Sequence, residues 1–125
     1  MVYKYFTDEE LACSHCGKVY MHMDFMRKIE LLREHLGFPF IVTSGLRCVE
    51  HPIEAAKASP GAHTTGQAMD IQVAGNNAHK LLAMALKGGF SGIGVAQKGP
   101  HGQRFIHLDN LDHSVERPRP TVWSY

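Results

Sequence analysis

The chain has 125 residues, a length that fits one domain over residues 1–125. Its composition, 44% apolar and 20% charged, is globular and excludes a disordered chain. Thirteen Lys and Arg against twelve Asp and Glu leave a formal charge of +1, so no generally basic nucleic-acid-binding surface is expected.

At the N-terminus, MVYKYFTDEE has no apolar h-region, and no ordinary secretory signal is expected. Thr7-Asp8-Glu9-Glu10 reads as a capping box opening a short helix. The loop Cys13-Ser14-His15-Cys16-Gly17 follows. From Asp24 to Leu36, Phe25, Ile29, Leu32 and Leu36 mark one face of a helix that Gly37 stops. Phe40 to Thr43 is aromatic and β-branched, which predicts a strand. Residues 44–66 read as a long loop with a helical turn near Ile53–Ala58. Ala68 to Val73 alternates and predicts a second strand. Asn76 or Asn77 is expected to cap a helix carrying Ala78, Leu81, Leu82 and Ala85, closed by Gly88-Gly89. Within it lies the longest apolar run, Leu81 to Leu86, far short of the ~20 residues that span a bilayer. Gly92–Ala96 and Arg104–Asp109 predict an antiparallel hairpin. The tail carries Arg117-Pro118-Arg119-Pro120 and ends in Trp123-Ser124-Tyr125. The class is α+β with a small, mostly antiparallel sheet and flanking helices.

Nine His in the chain raise the question of which form a site. From Ala55 to Leu108 the one acidic residue is Asp70, in a strand predicted to be buried. A buried carboxylate costs several kcal/mol unless it is paired or holds a cation. His63 lies seven residues earlier, and Gly66 allows the tight backbone that brings the two together. On the last predicted strand, His107 and Asp109 share one face, with Ile106 and Leu108 on the other. Two imidazoles and one carboxylate are a common ligand set for catalytic zinc. The competing reading is an Asp70 paired with Arg47 or Arg104.

His63-x-x-Gly66-x-Ala68-x-Asp70 is preceded by Thr43-Ser44-Gly45-Leu46-Arg47. It is followed by Gly92-Ile93-Gly94, Phe105-Ile106-His107-Leu108-Asp109 and Trp123-Ser124-Tyr125. This order resembles the zinc D-Ala-D-Ala carboxypeptidase family, which includes phage L-alanyl-D-glutamate endopeptidases and has a Hedgehog-like fold. The resemblance implies zinc held by His63, Asp70 and His107, and substrate held by Arg47 with Ser44 beside it. It also implies a metallopeptidase acting on peptidoglycan stem peptides, as a D,D-carboxypeptidase or an endopeptidase. The expected partner is that peptide, with no nucleic acid, no membrane insertion and a monomeric chain. A phage lysin made in the cytoplasm, or a tail-borne enzyme, would reach the cell wall without a signal. A catalytically silent zinc module that recognises wall peptide or protein is the alternative.

The chain departs from the family pattern at three places. Gly61 stands where Ser is usual, and Pro52 follows His51 where Asn is usual. Arg104 stands three residues before His107, where many members carry a carboxylate. The general base is therefore open between Asp109, which is also placed to orient a ligand His, and His101 in the hairpin loop. Arg104 is a candidate for oxyanion or substrate binding. Cys13, Cys16 and Cys48 allow three states: free thiols, a disulfide to Cys48, or a second, structural zinc completed by His15 or His51. His22, His35, His79 and His113 are expected on the surface, and Met21, Met23 and Met26 as packing.

Overall fold

The computed structural model describes residues 3–125. Helix α1 (Asp8–Leu11) starts at the expected box: the Glu10 backbone N–H donates to Thr7 Oγ1, and the Thr7 backbone N–H donates to Glu10. Helix α2 (Met23–Leu36) buries Phe25, Met26, Ile29 and Leu32. It ends at Gly37, whose φ of +77° is the left-handed conformation that glycine adopts at low cost. Strand β1 (Ile41–Ser44) follows, then a short helix α3 (Pro52–Ala55). The predicted turn near Ile53 is thus one turn of helix, capped by His51, whose Nδ1 accepts from the Ile53 N–H.

A 3-10 turn (Ala62–Thr65) leads into β2 (Ala68–Gln72). Gly66 joins the two with a φ of +77°, and a Cβ there would strike the Tyr20 backbone and ring. Helix α4 (Gly75–Lys87) differs from expectation at its start. Ala74 is the cap position and no side chain caps it; Asn76 and Asn77 fall inside the first turn. β3 (Gly92–Ala96) and β4 (Phe105–Asp109) form the expected antiparallel hairpin, with a 3-10 turn (His101–Gln103) between them. β5 (Thr121–Ser124), which the sequence did not predict, lies parallel to β3.

The five strands run β1-β2-β4-β3-β5, antiparallel except the last pair. Pairing sorts the side chains into rows. Met69, Leu108 and Ile93 form one row, and Ile71, Ile106 and Val95 another. These pack with Phe25, Met26, Ile29, Leu81 and Ala85 of α2 and α4 into the core. Burial of these side chains supplies the main favourable term of folding. The alternate rows face the other way, and there Asp70 pairs with His107, His107 with Gly94, and Gly94 with Trp123. As expected of the strand that carries Asp70, Ala68–Ile71 is buried throughout, on both faces. The turn carrying His63 covers that second face.

The Gly-Ile-Gly of β3 now has a reason. A Cβ on Gly92 would overlap the Asp109 carboxylate, and one on Gly94 would lie 2.6 Å from Trp123 Nε1. Gly92→Ala should therefore cost about 1–3 kcal/mol, as overpacking does. Gly102→Ala, whose added methyl would meet open space, should stay within ~0.5 kcal/mol of wild type. Urea unfolding of both variants checks the contrast, and equal midpoints would contradict the steric account.

Candidate metal centre

Asp70 and His107 are direct cross-strand partners, so the register of β2 and β4 alone sets their side chains together. His63 reaches the pair from the 3-10 turn. One ligand atom from each of the three lies within 4.8 Å of the other two, and all three residues are buried. Asp70 Oδ1 is 3.2 Å from His63 Nε2 and 3.0 Å from His107 Nδ1. The two rings meet edge to face with centroids 5.1 Å apart.

The outer nitrogens fix how these rings present themselves. His63 Nδ1 lies 2.9 Å from the Gly45 carbonyl, which only accepts, so this nitrogen carries a proton. Neutral His63 therefore turns the lone pair of Nε2 inward. His107 Nε2 lies 2.7 Å from Asp109 Oδ2 and donates to it, which turns the Nδ1 lone pair inward. Two imidazole lone pairs and a carboxylate thus converge on one point, a donor set that suits zinc. The carboxylates make the pocket attractive to any cation. A proton competes with a metal for that point: burial alone would lower the His107 pKa, yet the bonds the protonated ring makes to Asp109 and Asp70 raise it. Burial would likewise raise Asp70, but His107 and His63 hold it well below the usual carboxylate range.

Asp109 sits behind His107, fully buried. Its Oδ2 accepts from His107 and from Arg119 Nη2 at 2.7 Å, and its Oδ1 accepts from Arg119 Nε at 2.9 Å. Burial raises its pKa, and the bonds from His107 and Arg119 outweigh that and bring it to about 2. Both oxygens are engaged, on the side of His107 away from Asp70. This geometry orients a ring and leaves no oxygen free at the cleft.

The cleft above the three residues has a volume of about 380 Å³. Arg47, Lys57, Arg117 and Arg119 line it with Phe105, Trp123 and Tyr125. Among the described residues, its one lining carboxylate is Asp70. Arg47 lies at the cleft between two carboxylates: Nη1 is 3.2 Å from Glu54 and Nη2 is 3.8 Å from Asp70. Ser44 is not in the cleft lining; it pairs with Asp70 in the sheet, across a bulge in β1. His101 is exposed in its turn and does not line the cleft. Arg104 points elsewhere, its Nε donating to the Gly99 carbonyl at 2.9 Å, and it lines a separate cavity near His79. The three cysteine sulfurs cluster within 4.8 Å of one another, apart from this cleft.

Two residues escaped the sequence reading. Glu54 is buried, accepting from Arg47, Lys57 and the Gly61 N–H. Arg119 neutralises Asp109. A buried aspartate does signal a cationic partner, but sequence does not choose between Arg117 and Arg119. Arg119→Met should cost roughly 3–5 kcal/mol, because it strands a buried charge. The pH response follows from the sign of the shift. Asp109 ionises near 2 folded and near ~3.9 unfolded, so its contribution is full above about pH 4 and drains as pH falls towards 2. In Arg119→Met that loss should begin at higher pH. Acid titrations of both proteins followed by circular dichroism check this, and superimposable curves would refute it.

No helix among the described residues is long and apolar enough to cross a membrane. No curated protein matches the chain. The family model for Peptidase M15 matches residues 4–109, a span that holds Arg47, His63, Asp70, His107 and Asp109 and stops short of Arg119 and Trp123. That family consists of zinc metallopeptidases, whose metal the converging donors suit. With most of its length matched, the chain belongs to the Peptidase M15 family and is a zinc-dependent peptidase.

Proposed function

We propose that this peptidase hydrolyses bonds in peptidoglycan stem peptides, with His63, Asp70 and His107 as the protein ligands of its catalytic zinc. The observation that carries the reading is the position of this donor set, in a cleft lined by four basic side chains. Stem peptides bear free carboxylates, and a cationic cleft draws them in. Zinc, when bound, polarises a peptide carbonyl and acidifies water so that a nucleophile exists near neutral pH.

The chain's own residues do the positioning. Asp109 keeps the proton on His107 Nε2 and so keeps the Nδ1 lone pair inward. Gly45 does the same for His63 through its carbonyl. Arg47, held by Glu54, presents a planar guanidinium that suits a substrate carboxylate or carbonyl. Arg117 is steadied by the Pro60 carbonyl and adds positive charge to the lining. Trp123, Phe105 and Tyr125 supply apolar walls. Asp109 is a positioning residue in this reading, since both its oxygens are committed. The activity is exercised at the cell wall, reached through a membrane lesion during phage lysis or on a phage tail.

Purified protein with zinc should release amino groups from sacculi, and a chelator should stop it. Defined stem peptides separate the two modes: loss of a terminal D-Ala marks a carboxypeptidase, and internal cleavage an endopeptidase. Stoichiometric zinc with no release from either substrate would sink the reading and leave a binding module. His63→Ala and Asp70→Ala should abolish turnover. Asp109→Asn should cost about 10–100-fold in activity or metal affinity. Arg47→Met should raise KM more than it lowers kcat; an unchanged KM would remove Arg47 from substrate binding.

A further inference from the structure

The cleft makes no use of the three cysteines. Their sulfurs lie within 4.8 Å of one another and form no disulfide. Four thiolate-like ligands at ~2.3 Å from zinc would stand about 3.8 Å apart in a tetrahedron, so only a small contraction separates this cluster from a metal site. A disulfide needs about 2.05 Å and would leave the third sulfur unused.

The backbone around the sulfurs is arranged as a ligand turn. The Gly17 N–H donates to the Cys13 carbonyl at 2.8 Å, with Gly17 at a φ of +75°. The Cys13 N–H donates to the Lys18 carbonyl at 2.8 Å. The Cys48 N–H donates to Cys13 Sγ at 3.3 Å. Such a donor offsets the charge of a metal-bound thiolate. The second half repeats the spacing: Cys48-Val49-Glu50-His51 closes with the His51 N–H on the Cys48 carbonyl at 3.0 Å. The pattern is Cys-x-x-Cys followed by Cys-x-x-His, the spacing of a closed tetrahedral zinc site. His51 Nε2 is 3.0 Å from the hydroxyl of Ser14, which neighbours Cys13.

We propose that Cys13, Cys16 and Cys48 hold a second, structural zinc, with His51 Nε2 as fourth ligand in place of its contact with the Ser14 hydroxyl, the ring proton moving to Nδ1, which then gives up the Ile53 N–H. The site clamps the segment after α1 onto the loop that carries Arg47. That loop already bonds to the end of α1 through the Leu46 N–H on the Leu11 carbonyl. Its Gly45 carbonyl orients His63, and Arg47 projects into the cleft. The metal therefore acts as a positioning device for substrate binding. That consequence rests on the function proposed above; the existence of the site does not.

Metal analysis of the purified wild-type protein should give two zinc per chain. Asp70→Ala should keep one, and so should Cys16→Ser, chosen because Cys16 is exposed and its loss spares the core. Replacing zinc by cobalt should give a near-ultraviolet thiolate-to-cobalt charge-transfer band. It should persist in Asp70→Ala, vanish in Cys16→Ser, and owe nothing to the His63 site. His51→Ala should weaken the band-forming site about 10–100-fold, and His15→Ala should not. In Cys16→Ser, KM should rise more than kcat falls. One zinc per chain with no charge-transfer band in wild type would overturn the proposal, as would a native disulfide found by thiol counting under denaturing conditions. A weakening by His15→Ala alone would overturn the assignment of His51. Loss of peptidase activity with both metals retained would strike the proposed substrate instead.

Discussion

Everything in the cleft depends on the fully buried carboxylate of Asp109. A carboxylate so placed is tolerated only when each oxygen has a donor and its charge has a partner. Arg119 supplies two of the bonds, His107 a third and the Leu111 N–H a fourth. The consequence runs through the ring. With Nε2 tied to Asp109, His107 has one free nitrogen, and the strand register aims it at Asp70. The tautomer of a metal-seeking histidine is thus decided two residues away, by a group that never reaches the cleft.

This arrangement explains why the sheet needs its last strand. β4 holds Asp109, β3 makes room for it with Gly92, and the chain then travels out to the edge and returns as β5. The return brings Arg119 against Asp109 and lays Trp123 over Gly94, with its ring centroid 5.1 Å from that of His107. Arg119 is also 5.2 Å from the Trp123 ring, within cation–π range. The tail is part of the wall of the cleft. Residues 110–125 lie outside the span matched by the family model, yet they complete the charge balance of residues inside it.

What the sequence made legible follows the range of the forces involved. Thr7-Asp8-Glu9-Glu10, the apolar face ending at Gly37, and the β3–β4 hairpin are local patterns, and all appear where local physics puts them. For His63, Asp70 and His107, a lone carboxylate in a buried strand pointed to a cationic partner but left Arg47 and Arg104 as rivals, and the resemblance in motif order is what implied the set. β5 was not readable: Thr121 to Ser124 is short, and its pairing with β3 is parallel and remote in sequence. Asn76 and Asn77 misled because a good capping residue is no signal of its own offset from the helix start. Glu54 was hidden for the opposite reason. Its partners Arg47, Lys57 and Gly61 meet only because an irregular loop folds back on itself.

The loop of residues 45–48 ties the cleft to the N-terminal segment. Gly45 is pressed so closely on α1 that a Cβ would lie 2.7 Å from the Leu11 carbonyl, so the loop has no freedom to drift from that segment. Its carbonyl at Gly45 sets His63, and its N–H at Arg47 bonds to the His63 carbonyl at 3.0 Å. Its Arg47 side chain lies between Glu54 and Asp70, and its Cys48 N–H meets the Cys13 sulfur. Four consecutive residues therefore touch a ring facing the metal pocket, a charged cleft and a thiol cluster. A displacement of this loop at the cysteine end would carry to the His63 end through backbone alone. Leu46 anchors this short loop in the hydrophobic core, and hydrogen bonds of its backbone and the ion pairs of Arg47 fix its direction on either side.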